Sequence, residues 1–123
     1  MFRDYLRTLV CISLADALVN LGERQRADEA VAAGLTGIEQ WAEFFPRQAA
    51  EHRAELLAIR ASLLDPASAV NAAERSALIT RASTLLLGAD SEGRITLRDR
   101  RTLARLAALG AASAPDVSSK IGD

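Results

Sequence analysis

His52, the only histidine of the chain, lies between Glu51 and Arg53 in the segment AAEHRAE. On a helix, sequence neighbours point apart, so Glu51 does not orient His52; Glu55, three residues on, does share its face. A general base also needs a nucleophile or polarising group beside it, and the sequence nominates none. The reading is a solvated or capping histidine. Cys11, the single cysteine, is flanked by apolar residues in LVCISLADAL, with no base nearby to hold a thiolate, so it reads as a small buried apolar group. One cysteine and one histidine do not make a zinc site. GADSEGRITLRD (88–99) has the outline of a calcium loop, but placing Gly93 at its sharp turn puts Gly88 where the first carboxylate ligand belongs. No phosphate-cradling glycine loop is present. The expectation is a non-catalytic chain with no metal and no cofactor.

The remaining charged feature is arginine. Arg94, Arg98, Arg101 and Arg105 recur at intervals of four, three and four, which places them on one face of a helix reaching that far. Such a face suits phosphates or an acidic protein surface, or pairs with Asp90, Glu92 and Asp99. A formal net charge of −1 and the absence of interleaved aromatic residues favour a protein partner; a nucleic-acid-binding or regulatory domain using this basic face is the alternative.

The chain has 123 residues, the length of one domain with a single modest core. Half of the residues are apolar but only 4% are aromatic, and alanine is abundant, a mixture suited to closely packed helices. Arginine far outnumbers lysine, a bacterial-type composition that reflects coding bias more than chemistry. The apolar stretch near the N-terminus is short and interrupted by Asp4 and Asp16, unlike a secretory signal, and no segment has the length of a membrane span. The expected setting is cytoplasmic and reducing, away from membranes.

The apolar period predicts five helices, at about 3–21, 25–45, 47–64, 71–87 and 97–109, in a single domain spanning 1–110, followed by a flexible tail at 111–123. The first carries Leu6, Leu9, Val10, Leu14, Ala17, Leu18 and Leu21 and closes at Gly22. The second has the cleanest stripe: Ala27, Ala30, Val31, Gly34, Leu35, Ile38, Trp41, Ala42 and Phe45, stopped by Pro46. The third carries Ala50, Ala54, Leu57, Ala61 and Leu64. The fourth, on Ala73, Ala77, Leu78, Ala82, Leu85 and Leu86, starts at an Asn71–Glu74 capping box or directly at Pro66 with Asp65 as its cap, and ends at Gly88. Thr96–Asp99 repeats the cap pattern for the fifth, which ends before Gly110.

Short connections imply antiparallel neighbours in an all-α fold. From Tyr5 to Leu64 the chain resembles tetratricopeptide-type helical repeats: Leu14, Ala15, Leu18, Gly22, Ala27, Val31, Gly34, Leu35 and Pro46 stand at matching positions. A second unit, extending the resemblance to residue 87, keeps Ala61, Leu64, Ala73 and Ala77 at a shift of 46 residues. The alternatives are a right-handed array of helix hairpins or an ordinary five-helix bundle. The resemblance implies a protein or peptide partner bound along the first helix of each pair, with Asp16, Val19, Asn20, Arg53 and Arg60 as candidate contacts. The lysine and asparagine clamp that some such repeats use for a terminal carboxylate is missing. Uncovered end helices further imply self-association.

Overall fold

The computed structural model describes residues 2–90 and 95–113. It is all-α, with five helices: α1 (Phe2–Asn20), α2 (Arg24–Glu39), α3 (Pro46–Ser62), α4 (Ala69–Asp90) and α5 (Leu97–Ser113). No strand occurs among the described residues. The expected tail from residue 114 onward, and Arg94 and Gly93 of the α4–α5 connection, lie outside them.

α1 and α2 form one tightly packed hairpin, and α3 and α4 form a second. α3 also packs on α1 and α2, and α5 on α3 and α4. The first turn is a local consequence of Gly22. Its φ of 77° is open to glycine and strained for other residues. There the Glu23 N–H reaches the Leu18 carbonyl at 2.9 Å and the Gly22 N–H reaches Val19 at 3.0 Å, the paired closure that satisfies the last carbonyls of a helix.

α2 is shorter than its stripe predicts. After Glu39 the chain tightens, with Trp41 N–H on Ile38 O at 3.0 Å and Phe44 N–H on Trp41 O at 3.1 Å. Pro46 then opens α3 and holds Phe45 out of helical geometry, at φ −135°, ψ 69°. Phe45, expected on the buried stripe, is therefore exposed. The turn drives Trp41 fully under α1 and α3, where its indole N–H donates to Thr8 Oγ1 at 3.1 Å.

α4 follows neither expected start. Ser68 precedes it, its hydroxyl accepting the Asn71 N–H at 3.4 Å, while Asp65 Oδ1 takes the Ala67 N–H at 2.9 Å in the turn before. The helix also passes through Gly88 to Asp90, and α5 passes through Gly110 to Ser113. A glycine inside a helix costs only about 1 kcal/mol, less than continued hydrogen bonding returns.

Two cores meet on α3. Ala49, Leu56 and Ile59 join Ile12, Ala15, Leu18, Ala27, Val31, Ile38 and Trp41 in one; Ala54, Leu57 and Ala58 join Ala82, Leu86 and Leu106 in the other. α3 is therefore buried around most of its circumference, His52 included. The largest departure from expectation is on α1. Its buried residues are Thr8, Cys11, Ile12, Ala15 and Leu18, whereas Leu6, Val10, Leu14, Ala17 and Leu21 face outward. The close approach of α2 at Gly34 selects the smaller side chains for the interface.

On α4, Ala73 and Ala77 are exposed and Arg75 is buried in their place. Arg75 donates to Leu64 O at 3.0 Å and to Ala61 O and Leu109 O at 3.5 Å, tying its charge to the carbonyl ends of α3 and α5. Arg75→Met keeps the stem but removes those donors. It is expected to lower unfolding free energy in urea by about 2 kcal/mol; an unchanged midpoint would mean that these carbonyls need no capping.

Candidate functional site

The three odd-numbered helices lie side by side. Tyr5 of α1 meets His52 of α3 edge to face at 6.0 Å, and Leu57 and Ala58 of α3 share a core with Leu106 of α5. Between them runs a cleft of about 510 Å³. Ile12, Ala58, Ile59 and Leu97 supply its apolar surface; Ser13, Asp16, Glu55, Arg98, Arg101, Thr102 and Arg105 supply its polar rim. Each helix contributes residues three or four apart, so the cleft follows directly from helical periodicity.

Charge is distributed unevenly around it. Arg105 reaches across from α5 to Asp16 of α1 at 2.9 Å, and Arg98 is paired with Glu55 of α3. Arg101 is exposed and has no ion-pair partner among the described residues. The expected arginine face is thus turned into the cleft at Arg98, Arg101 and Arg105.

The candidate contacts named for the repeat surface do not gather in one place. Asp16 is on the cleft rim. Val19 is partly buried against the first core, and Asn20, the last residue of α1, is exposed. Arg53 and Arg60 point toward α2 instead, pairing with Glu39 at 3.5 Å and Asp28 at 3.4 Å. Sequence reasoning missed Ile12, Ser13, Ala58, Ile59, Leu97 and Thr102 as cleft residues. Their helical spacing was visible, but not which helices would adjoin.

Behind the arginines lies a buried polar cluster. The Thr96 N–H reaches Asp99 Oδ2 at 3.2 Å while the Asp99 N–H reaches Thr96 Oγ1 at 3.1 Å, the reciprocal cap expected for α5. Asp99 is only 1% exposed and its charge acts on Glu51 of α3. Burial, then the Asp99 charge, push the Glu51 carboxyl above its usual range, against the pull of Arg47 and His52. Burial also opposes ionisation of Glu55, but the neighbouring His52 ring and the hydrogen-bonded Arg98 guanidinium outweigh it and leave this carboxyl below its usual range. His52 is buried against Tyr5 and Trp41 with its Nδ1 3.4 Å from Glu55, so it is neither solvated nor a helix cap. Its aromatic neighbours come from distant parts of the chain.

The cluster has a pH signature. A raised native pKa means that Glu51 favours the folded state below its unfolded pKa, and that this contribution is lost as pH rises through the folded value. Glu55 has the opposite sign: its contribution is present above the unfolded pKa and is lost as pH falls through the lowered folded value. Glu51→Gln removes the repulsion while keeping the shape. The variant is expected to melt above the native chain at pH 8, with the gap closing toward pH 4; a gap independent of pH would refute the raised Glu51 carboxyl.

Cys11 is buried where α1 meets α2, and burial pushes its thiol up while Arg7 pulls the other way. Among the described residues no group of three or more histidine, cysteine or acidic side chains is placed to hold a metal ion. Gly88 sits inside α4, and residues 91–94 of the stretch with a calcium-loop outline lie outside the described residues. No described helix is long and apolar enough to cross a membrane. Comparison of the chain with protein-family models, with curated proteins and with solved structures gave no match.

Proposed function

We propose that the chain is a protein-interaction module of tetratricopeptide-like organisation, and that the α1–α3–α5 cleft receives an extended acidic segment of a partner protein. One observation carries the reading: an apolar-floored cleft about 510 Å³ in volume has three arginines along the α5 side of its rim. The succession of hairpins, with odd helices adjoining odd helices, supports it. The apolar floor suits leucine-sized side chains, and Arg101 offers a carboxylate the first charged contact. Arg98 and Arg105 are already balanced by Glu55 and Asp16, so incoming carboxylates exchange with those partners. This favours a few placed acids over a continuous polyanion such as nucleic acid, in keeping with the net charge of −1.

Selection of binders to the intact chain from a random peptide library tests the reading. The expected binders combine acidic and aliphatic residues, and Arg101→Glu weakens them about tenfold or more, equivalent to about 1.4 kcal/mol. Binders indifferent to Arg101→Glu, or salt-sensitive binding of DNA or RNA in their place, would reject it.

A further inference from the structure

The outer face of α1 is apolar where a surface helix is ordinarily polar. Phe2, Leu6, Val10, Leu14, Ala17 and Leu21 are all exposed, Val10 at 63% and Leu21 at 76%. Their spacings of four, four, four, three and four keep them on one stripe. Ser13 is the polar residue within it, exposed Arg7 flanks it between Leu6 and Val10, and Arg3 and Asn20 stand toward its ends. The stripe borders the cleft at Ser13, which lines the cleft together with Ile12 and Asp16 of α1.

We infer that this face is the interface with a second copy of the chain, α1 packing antiparallel on α1 of the other copy about a two-fold axis near residues 11–12. The order of residues points to the occupant. A two-fold interface must be complementary to itself, and this stripe reads nearly the same in both directions. About an axis between residues 11 and 12, Phe2 lies opposite Leu21, Leu6 opposite Ala17 and Val10 opposite Ser13, with Leu14 one residue beyond, so the large residues at the ends meet each other and smaller ones face Leu6 and Val10.

The area is sufficient. The exposed parts of these side chains amount to roughly 600 Å², at the upper end of the largest patch on a monomer. An apolar hollow of about 290 Å³ lined by Phe2, Tyr5, Phe45 and Gln48 adjoins the stripe at Phe2. With it and the polar flanks, each copy approaches the roughly 800 Å² of an ordinary stable interface. Antiparallel packing also sets the N-terminus of each α1 beside the C-terminus of the other, where their dipoles attract.

Sedimentation of the intact chain from about 1 µM to 1 mM tests the inference. A monomer–dimer equilibrium is expected, and Val10→Glu, at an exposed site, is expected to leave a monomer with unchanged helicity. Orientation is read by mild oxidation: a mixture of Phe2→Cys and Leu21→Cys chains forms a disulfide between unlike copies, and neither variant does so alone. A native chain that stays monomeric throughout, a Val10→Glu chain that still dimerises, or Phe2→Cys linking to itself would each overturn the arrangement. The first outcome would give the stripe to a different partner.

Discussion

Trp41→Ala is expected to remove about 4 kcal/mol of stability, a large part of the ~5–15 kcal/mol available to a domain of this kind. Trp41 is wholly buried in the turn between α2 and α3, and no smaller residue fills its place. Its ring meets Tyr5 edge to face at 5.1 Å and His52 at 5.9 Å, so it joins the first helix to the third. Its N–H ends on Thr8, whose own hydroxyl donates to Asp4 O at 3.0 Å. Truncation leaves a cavity and removes a buried donor together. Thermal melting followed by circular dichroism should show a fall of roughly 20 °C. Trp41→Phe, which keeps a ring but not the donor, should lose about 1–2 kcal/mol. If both variants melted near the native chain, the side-by-side placement of α1 and α3, and the cleft it makes, would lose its main support.

Gly34→Val is expected to cost about 3 kcal/mol by overpacking. A Cβ at Gly34 would stand 3.0 Å from Leu56 Cδ1 and 3.2 Å from Cys11 Cβ. Leu56 can turn aside, but Cys11 Cβ is fixed to the α1 backbone, so the helices must separate. At Gly110, also helical, a Cβ meets nothing within 4 Å among the described residues. There Gly110→Ala should stabilise by about 1 kcal/mol through helix propensity alone. Denaturant unfolding of the two variants reads opposite signs from two helical glycines; equal effects would mean that the helix contact at Gly34 is looser than described.

These two positions also mark what the sequence could disclose. Gly22 was legible because a helix-closing residue at positive φ is almost always glycine, and Gly34 because it lies on the clean stripe of α2. The α5 cap was legible because Thr96 and Asp99 satisfy one another within four residues. The buried face of α1 was not. Hydropathy selects the large residues Leu6, Val10, Leu14 and Leu21, but the close approach of α2 at Gly34 and Gly37 brings Cys11 and Thr8 inward instead. His52 was misread because its aromatic neighbours are Tyr5 and Trp41, and neither lies within a helical turn of it. The cleft needed contacts such as Asp16–Arg105, 89 residues apart, which no local period encodes. The arginine face was visible in part, yet its direction is set by Glu55 on α3 and Asp16 on α1, which hold Arg98 and Arg105.

The most direct test of the cleft is the map of amide chemical shifts that moves when an acidic peptide selected on the intact chain is added. The account predicts changes at Ser13, Glu55, Arg101 and Thr102, on three different helices, with Thr36 and Gln40 beyond them unmoved. Changes confined to α2 and α4, with those four residues still, would contradict it.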